Sequence, residues 1–220
     1  MKKIFVIILM FISFLGFSLP ILNPSPDVVN EGTVQVVMVS SGSYGLRYGL
    51  FGIMEVGYSS IEGDGYLKIG FENLLGIPLK VATSYGYLFD GTGFVVNGIL
   101  GYKGEKVKVS GGMMFSKSQE YSADSIDLVD LYELNPFVSL NVKIDNISNI
   151  NIEANFPVYT SNSSASRSIP SLSLYATQKY DNVFFYKYAA IYGGIKYDFS
   201  TVKILFGVSG EIELIKNPEN

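Results

Sequence analysis

From Tyr132 the side chains fall into two rows. Tyr132, Leu134, Pro136, Val138, Leu140, Val142 and Ile144 make one row; Glu133, Asn135, Ser139, Asn141 and Lys143 make the other, with Phe137 the single apolar intruder. Successive side chains of a strand point to opposite faces, so this alternation predicts a long strand with one apolar and one polar face. From Val202 the split recurs: Val202, Ile204, Phe206, Val208, Gly210, Ile212 and Leu214 oppose Lys203, Leu205, Gly207, Ser209, Glu211 and Glu213. Shorter runs repeat it. Leu67, Ile69 and Phe71 oppose Lys68 and Glu72; Leu79, Val81, Tyr85 and Phe89 oppose Lys80 and Ser84; Val107, Val109, Met113 and Phe115 oppose Lys106, Lys108 and Ser110; Ile150, Ile152, Phe156 and Val158 oppose Asn149, Asn151, Glu153 and Asn155. No charge falls on the apolar side of any run, and no stretch beyond the N-terminus carries apolar residues at helical spacing between caps. The chain reads as all-β.

Alternation alone does not say which face is wet, because a soluble sandwich or barrel shows the same pattern with its apolar side inward. Three features favour a membrane-spanning wall. Several runs keep their alternation well beyond the ~5–6 residues of a globular strand and reach the ~9–11 that cross a bilayer. The polar rows are rich in Gly, Ser, Ala and Asn with scattered Lys and Glu, which suits a crowded interior. Tyr58, Tyr66, Tyr87, Tyr102, Tyr132, Tyr159 and Tyr197 sit near run ends, where a headgroup belt would hold them.

The connections Glu62-Gly63-Asp64-Gly65, Asp90-Gly91-Thr92-Gly93 and Lys103-Gly104-Glu105 read as hairpin turns, so the sheet is antiparallel and meandering. Two connections are longer, Lys117 to Asp130 and Thr160 to Ser168. Counting back from a last strand ending near Ile215 puts both on one side of the wall. The short connections near Leu75 to Pro78, Gly104, Asp145 to Ser148 and Asp181 fall on the other side, as in barrels whose turns are short on the periplasmic side. The count is ten strands, or twelve if Thr33 to Ser41 and Ser43 to Leu50 form a first hairpin followed by a turn at Phe51-Gly52; twelve is favoured.

Lys2 and Lys3 precede an uncharged stretch from Ile4 to Phe17, with small residues at Gly16 and Ser18. This is the tripartite form of a signal peptide, shorter than the ~20 apolar residues of a membrane helix. The expected organisation is a signal peptide over 1–18, a lead segment over 19–32, the barrel over 33–215 and a tail over 216–220. Charged residues make up only 16% of the chain, against roughly 25% in soluble domains. Of the 16 basic side chains two lie in the leader, leaving an acidic mature chain and no expectation of nucleic acid as a partner. There is no cysteine, so neither disulfides nor a lipidated cysteine hold the protein.

Arg47-Tyr48-Gly49-Leu50, followed by Glu55 at the start of the next run, resembles a segment of bacterial outer-membrane β-barrel proteins of porin-like type. The resemblance implies an outer-membrane location, with outer-membrane lipid and the barrel-assembly machinery as partners. Such proteins often end on an aromatic residue, whereas here the last run gives way to Lys216-Asn217-Pro218-Glu219-Asn220.

Histidine is absent, which removes the usual general base of membrane-embedded hydrolases and acyltransferases. Glu211 and Glu213 share a face and invite a carboxylate-pair reading, but a charge network with neighbouring lysines is the plainer expectation. Glu120, Asp124, Asp127, Asp130 and Glu133 are candidate loop ligands for calcium, without the glycine-bearing order of a known calcium loop. The paired glycines at Gly63, Gly65, Gly91 and Gly93 are read as turn residues, since no helix follows them to cradle a phosphate. No cofactor or metal is expected. The charges expected to face the lumen are Lys68, Glu72, Lys80, Lys103, Lys106, Lys108, Glu133, Lys143, Glu153, Lys203, Glu211 and Glu213. The functional expectation is an envelope-structural barrel or a narrow channel for a small solute, without catalysis. The alternatives are a secreted soluble β-sandwich or barrel that binds a ligand or envelope polymer, and a membrane-embedded enzyme.

Overall fold

The computed structural model describes residues 23–40, 42–73, 76–89, 93–121, 128–161 and 169–214. The stretch expected to be a signal peptide, the middle of both long connections and the C-terminal residues 215–220 lie outside these residues. Thirteen strands are present: β1 (Thr33–Val39), β2 (Tyr44–Leu50), β3 (Met54–Ser59), β4 (Gly63–Phe71), β5 (Leu79–Leu88), β6 (Gly93–Lys103), β7 (Val107–Tyr121), β8 (Leu128–Lys143), β9 (Ser148–Asn155), β10 (Tyr159–Thr160), β11 (Ser171–Val183), β12 (Tyr186–Tyr197) and β13 (Val202–Glu213). Twelve of them form a closed, antiparallel, meandering barrel.

Closure is made by β1 on β13, running from Thr33 opposite Glu213 to Val39 opposite Gly207. The thirteenth, β10, prolongs the edge of β9 along β8, with Tyr159 opposite Leu134. The interruption between them holds Pro157, which has no N–H to give to a ladder. Closing the ring gives each of the twelve wall strands two neighbours, while the two-residue β10 pairs with β8 alone.

Chain direction puts Thr33 and Glu213 at one end of the barrel, the terminal end; the connections after β1, β3, β5, β7, β9 and β12 lie at the other, the loop end. Twelve strands, including the first short hairpin, match the favoured count. Some expected boundaries do not match. The β7–β8 connection is only residues 122–127, because both strands continue well past Lys117 and Asp130, ending with Tyr121 opposite Leu128. Gly63, Asp64 and Gly65 belong to β4, so the turn before them is shorter and earlier than expected. Asp181 lies within β11 opposite Tyr188, and the turn is Phe184-Phe185. The turn at Phe51-Gly52 is as expected, both residues holding positive φ (54° and 68°).

The two faces are chemically inverted relative to a soluble core. Outward rows expose Leu46, Leu67, Leu100, Met113, Val138, Ile152, Leu174, Ile191, Ile195, Ile204 and Phe206. Inward rows bury Arg47, Glu55, Lys68, Lys80, Asn97, Glu133, Asn135, Asn151, Glu153 and Glu211, together with Val37, Ile99, Phe137, Tyr175, Ala190 and Leu205. Phe137 and Leu205, the apolar members of the polar rows, are thus interior filling.

Candidate functional site: a lumen closed by the N-terminal segment

Residues 23–31, ahead of β1, run inside the barrel and form a strap across it. At one end the Asn23 backbone N–H donates to Glu153 Oε2 (2.9 Å), while its Nδ2 donates to the carbonyls of Val138 and Ala154 (both 3.1 Å) and to Ser139 Oγ (3.2 Å). Tyr175 on β11 donates its hydroxyl to the other oxygen of Glu153. At the far end the Val29 N–H donates to Glu55 Oε2 on β3 (2.9 Å), and Glu31 bridges Gly49 on β2. The strap is accommodated by inward glycines. A Cβ on Gly49 would lie 2.0 Å from the Asn30 carbonyl oxygen, one on Gly70 2.5 Å from a Val28 methyl, and one on Gly101 2.6 Å from the Pro26 ring. Any larger residue would push the strap off the wall.

Three polar clusters meet it. In the first, Lys68 is fully buried and lies 3.2 Å from Glu55 and 2.9 Å from Glu62, with Arg47 Nε 3.9 Å from Glu55 and Tyr66 donating its hydroxyl to Glu55. Two cations and two carboxylates from three successive strands and one turn thereby balance, the condition under which buried ions are tolerated. In the second, Lys80 on β5 donates to Asp27 of the strap and to Glu72, with Lys108 4.0 Å from Asp27. The third is the Asn23–Glu153–Tyr175 group. On the opposite wall Gln35 donates to Tyr188 (2.7 Å), and Tyr192 and Ser209 share a hydrogen bond (3.1 Å).

The twelve charges singled out from the sequence divide by depth. Lys68, Lys80, Glu133, Glu153 and Glu211 are buried on the inner face. Glu72, Lys103, Lys106, Lys108, Lys143 and Glu213 are exposed at the terminal end, and Lys203 at the loop end, where it pairs with Asp198 (2.9 Å). Glu211 and Glu213 differ in depth, Glu211 buried inside and Glu213 exposed at the rim 4.0 Å from Lys187. Asp130 and Glu133 are strand residues of opposite parity: Asp130 binds Lys117 on the outer surface (2.9 Å) and Glu133 is buried within. They cannot share one ion. Asp124 and Asp127 lie outside the described residues, and no cluster of three metal-ligating side chains exists among the described ones.

Sequence reasoning missed Arg47, Glu55 and Glu62 as interior charges, and Tyr66 was assigned to a surface belt although it points inward and is buried. Their parity held the signal, since Arg47 alternates with Leu46 and Tyr48, and Glu55 with Met54 and Val56. The runs are six or seven residues long and interrupted by glycine, too short for alternation to stand out.

Comparison with protein families, curated proteins and solved structures finds no match. The geometry speaks alone. It consists of a closed wall, an interior filled by side chains and a strap, and a sheath of aliphatic and aromatic residues outside.

Proposed function

We propose that the chain is an exported outer-membrane β-barrel whose role is structural, with the lumen stoppered by its own N-terminal strap, so that at most small solutes pass. What carries the reading is the inversion of faces. Lys68 and Glu55 have no solvent exposure while Ile204 is 76% and Leu100 57% exposed, an arrangement that water would penalise and hydrocarbon would favour. The height supports it as well. The outward apolar row from Tyr132 to Ile144 covers about 40 Å of strand at ~3.3 Å per residue, or about 28 Å when tilted ~45°, near the ~25 Å apolar band of such barrels.

Aromatic rings edge that band towards the loop end: Tyr44, Tyr58 and Phe89 stack in series (5.2 and 6.1 Å between centroids), and Tyr85, Phe94, Phe115 and Tyr132 form a second chain of contacts (6.0, 6.0 and 6.3 Å), stacked except for the tilted Phe94–Phe115 pair. Beyond them the outer surface turns ionic at Lys117 and Asp130. Outer-membrane lipid and the barrel-assembly machinery are the partners this role requires. Catalysis is not part of the proposal: Glu55, Glu62 and Glu153 are engaged by lysine, arginine, tyrosine or the strap.

The test is extraction and gel migration of the full chain. The expected result is release from envelopes only by detergent, a faster-migrating folded band in unboiled samples and little conductance in planar bilayers. A mature chain that stays monomeric in plain buffer would overturn the membrane reading, and a large steady conductance would overturn the stopper.

A further inference from the structure

Between the strap and the terminal end of the wall is a cavity of about 170 Å³. Three cationic side chains line it: Lys80, Lys103 and Lys108, from β5, β6 and β7. Into this group the strap delivers one carboxylate, Asp27, which accepts from Lys80 and sits 4.0 Å from Lys108. Glu153 also lines the cavity, but its oxygens are taken by Tyr175 and the Asn23 N–H. Glu72 accepts from Lys80 from the rim side, leaving Lys103 and Lys108 exposed at the cavity mouth.

Three converging cations held by adjacent strands around a small hollow are an anion site, and the anion now in it is tethered. We propose that Lys80, Lys103 and Lys108 form a binding site for a small oxyanion, a carboxylate or phosphate, and that Asp27 occupies it as an internal stand-in. The strap is thereby held partly by a contact that a free anion imitates. An intramolecular carboxylate acts at a high effective concentration, so the intact chain binds a free anion weakly and removal of Asp27 exposes the site. The inference does not rest on the membrane reading, because it concerns only the interior of the folded barrel.

The test uses inorganic phosphate and the full chain folded in detergent. Titration calorimetry is expected to show Asp27→Asn binding phosphate at least tenfold more tightly than the natural chain, with the gain abolished when Lys103→Gln and Lys108→Gln are added. A second measurement needs no variant. Amine labelling followed by mass spectrometry should show phosphate protecting Lys103 and Lys108 severalfold, while Lys106 and Lys143, outside the cavity lining, label at an unchanged rate. Equal protection of all four lysines, or an Asp27→Asn variant that binds no more tightly than the natural chain, would overturn the proposal.

Discussion

Lys68 is cut off from solvent, and its ammonium is held by two carboxylates, Glu55 and Glu62, that are equally cut off. Such a group is tolerable only while the set stays balanced, since attraction in a low-dielectric interior offsets the loss of hydration charge by charge. Lys68→Met removes the cation shared by both acids, and the expected loss is about 3–5 kcal/mol, the usual cost of orphaning a buried charge. Urea unfolding followed by loss of the fast-migrating folded band would measure it. A loss below about 1 kcal/mol would mean that the two acids are hydrated or protonated in the folded barrel.

Among the elements, the turn after β12 shows how a short connection is fixed by one side chain. Asp198 accepts hydrogen bonds from the Thr201 N–H (2.8 Å), the Thr201 hydroxyl (2.9 Å) and the Ser200 hydroxyl (2.9 Å), and lies 2.9 Å from Lys203 Nζ. Its carboxyl is held far below the usual carboxylate range, first by Lys203 and then by the turn's own donors. With the folded value below the unfolded one, the contribution is complete above about pH 4 and disappears as pH falls through the folded value. Asp198→Asn is therefore expected to be less stable than the natural chain at pH 7, with the gap closing as unfolding is followed down to pH 2. A gap independent of pH would mean that the carboxylate's charge contributes nothing.

At this scale the sequence was most readable where one physical demand acted over a long stretch. The rows of β8 and β13 were legible because every second residue meets the outside of the wall for a dozen residues. The upper parts of β7 and β8 were not, because around Lys117, Gln119 and Asp130 the outer surface is ionic and the apolar row that marks a strand stops before the strand does. The strap left no trace for a different reason. Residues 23–31 have no periodic pattern, and their contacts are backbone, single polar groups and isolated apolar ones such as Pro26 and Val28, spread over β2 to β9 with nothing local to announce them. Gly49, Gly70 and Gly101 hinted at it only in retrospect, as places on the inner face where something must come close.

For the whole molecule, the decisive quantity is what the outer surface touches. Leu174 is outward on β11 and half exposed, with Ile152 and Ile195 opposite it on the neighbouring strands. If hydrocarbon covers it, Leu174→Arg should lower stability by about 2–4 kcal/mol in lipid vesicles, as charged residues do on the lipid face near the bilayer centre. If water covers it, the change should fall within about 0.5 kcal/mol, as for ordinary surface substitutions. Folding the variant into vesicles and measuring reversible denaturation distinguishes the two outcomes.

The wall is also uneven around its circumference. β1, β2 and β3 have 7, 7 and 6 residues, whereas β7 and β8 have 15 and 16. At ~3.3 Å per residue and a tilt of ~45°, the low flank rises only about 16 Å and the high flank about 37 Å. A bilayer meeting this barrel would be pinched beside the first hairpin and relaxed on the far side, and the strain of such thinning grows with each ångström of mismatch. The protein would then act on its surroundings through its outline, drawing shorter-tailed lipids to one flank and giving an otherwise round object a front and a back.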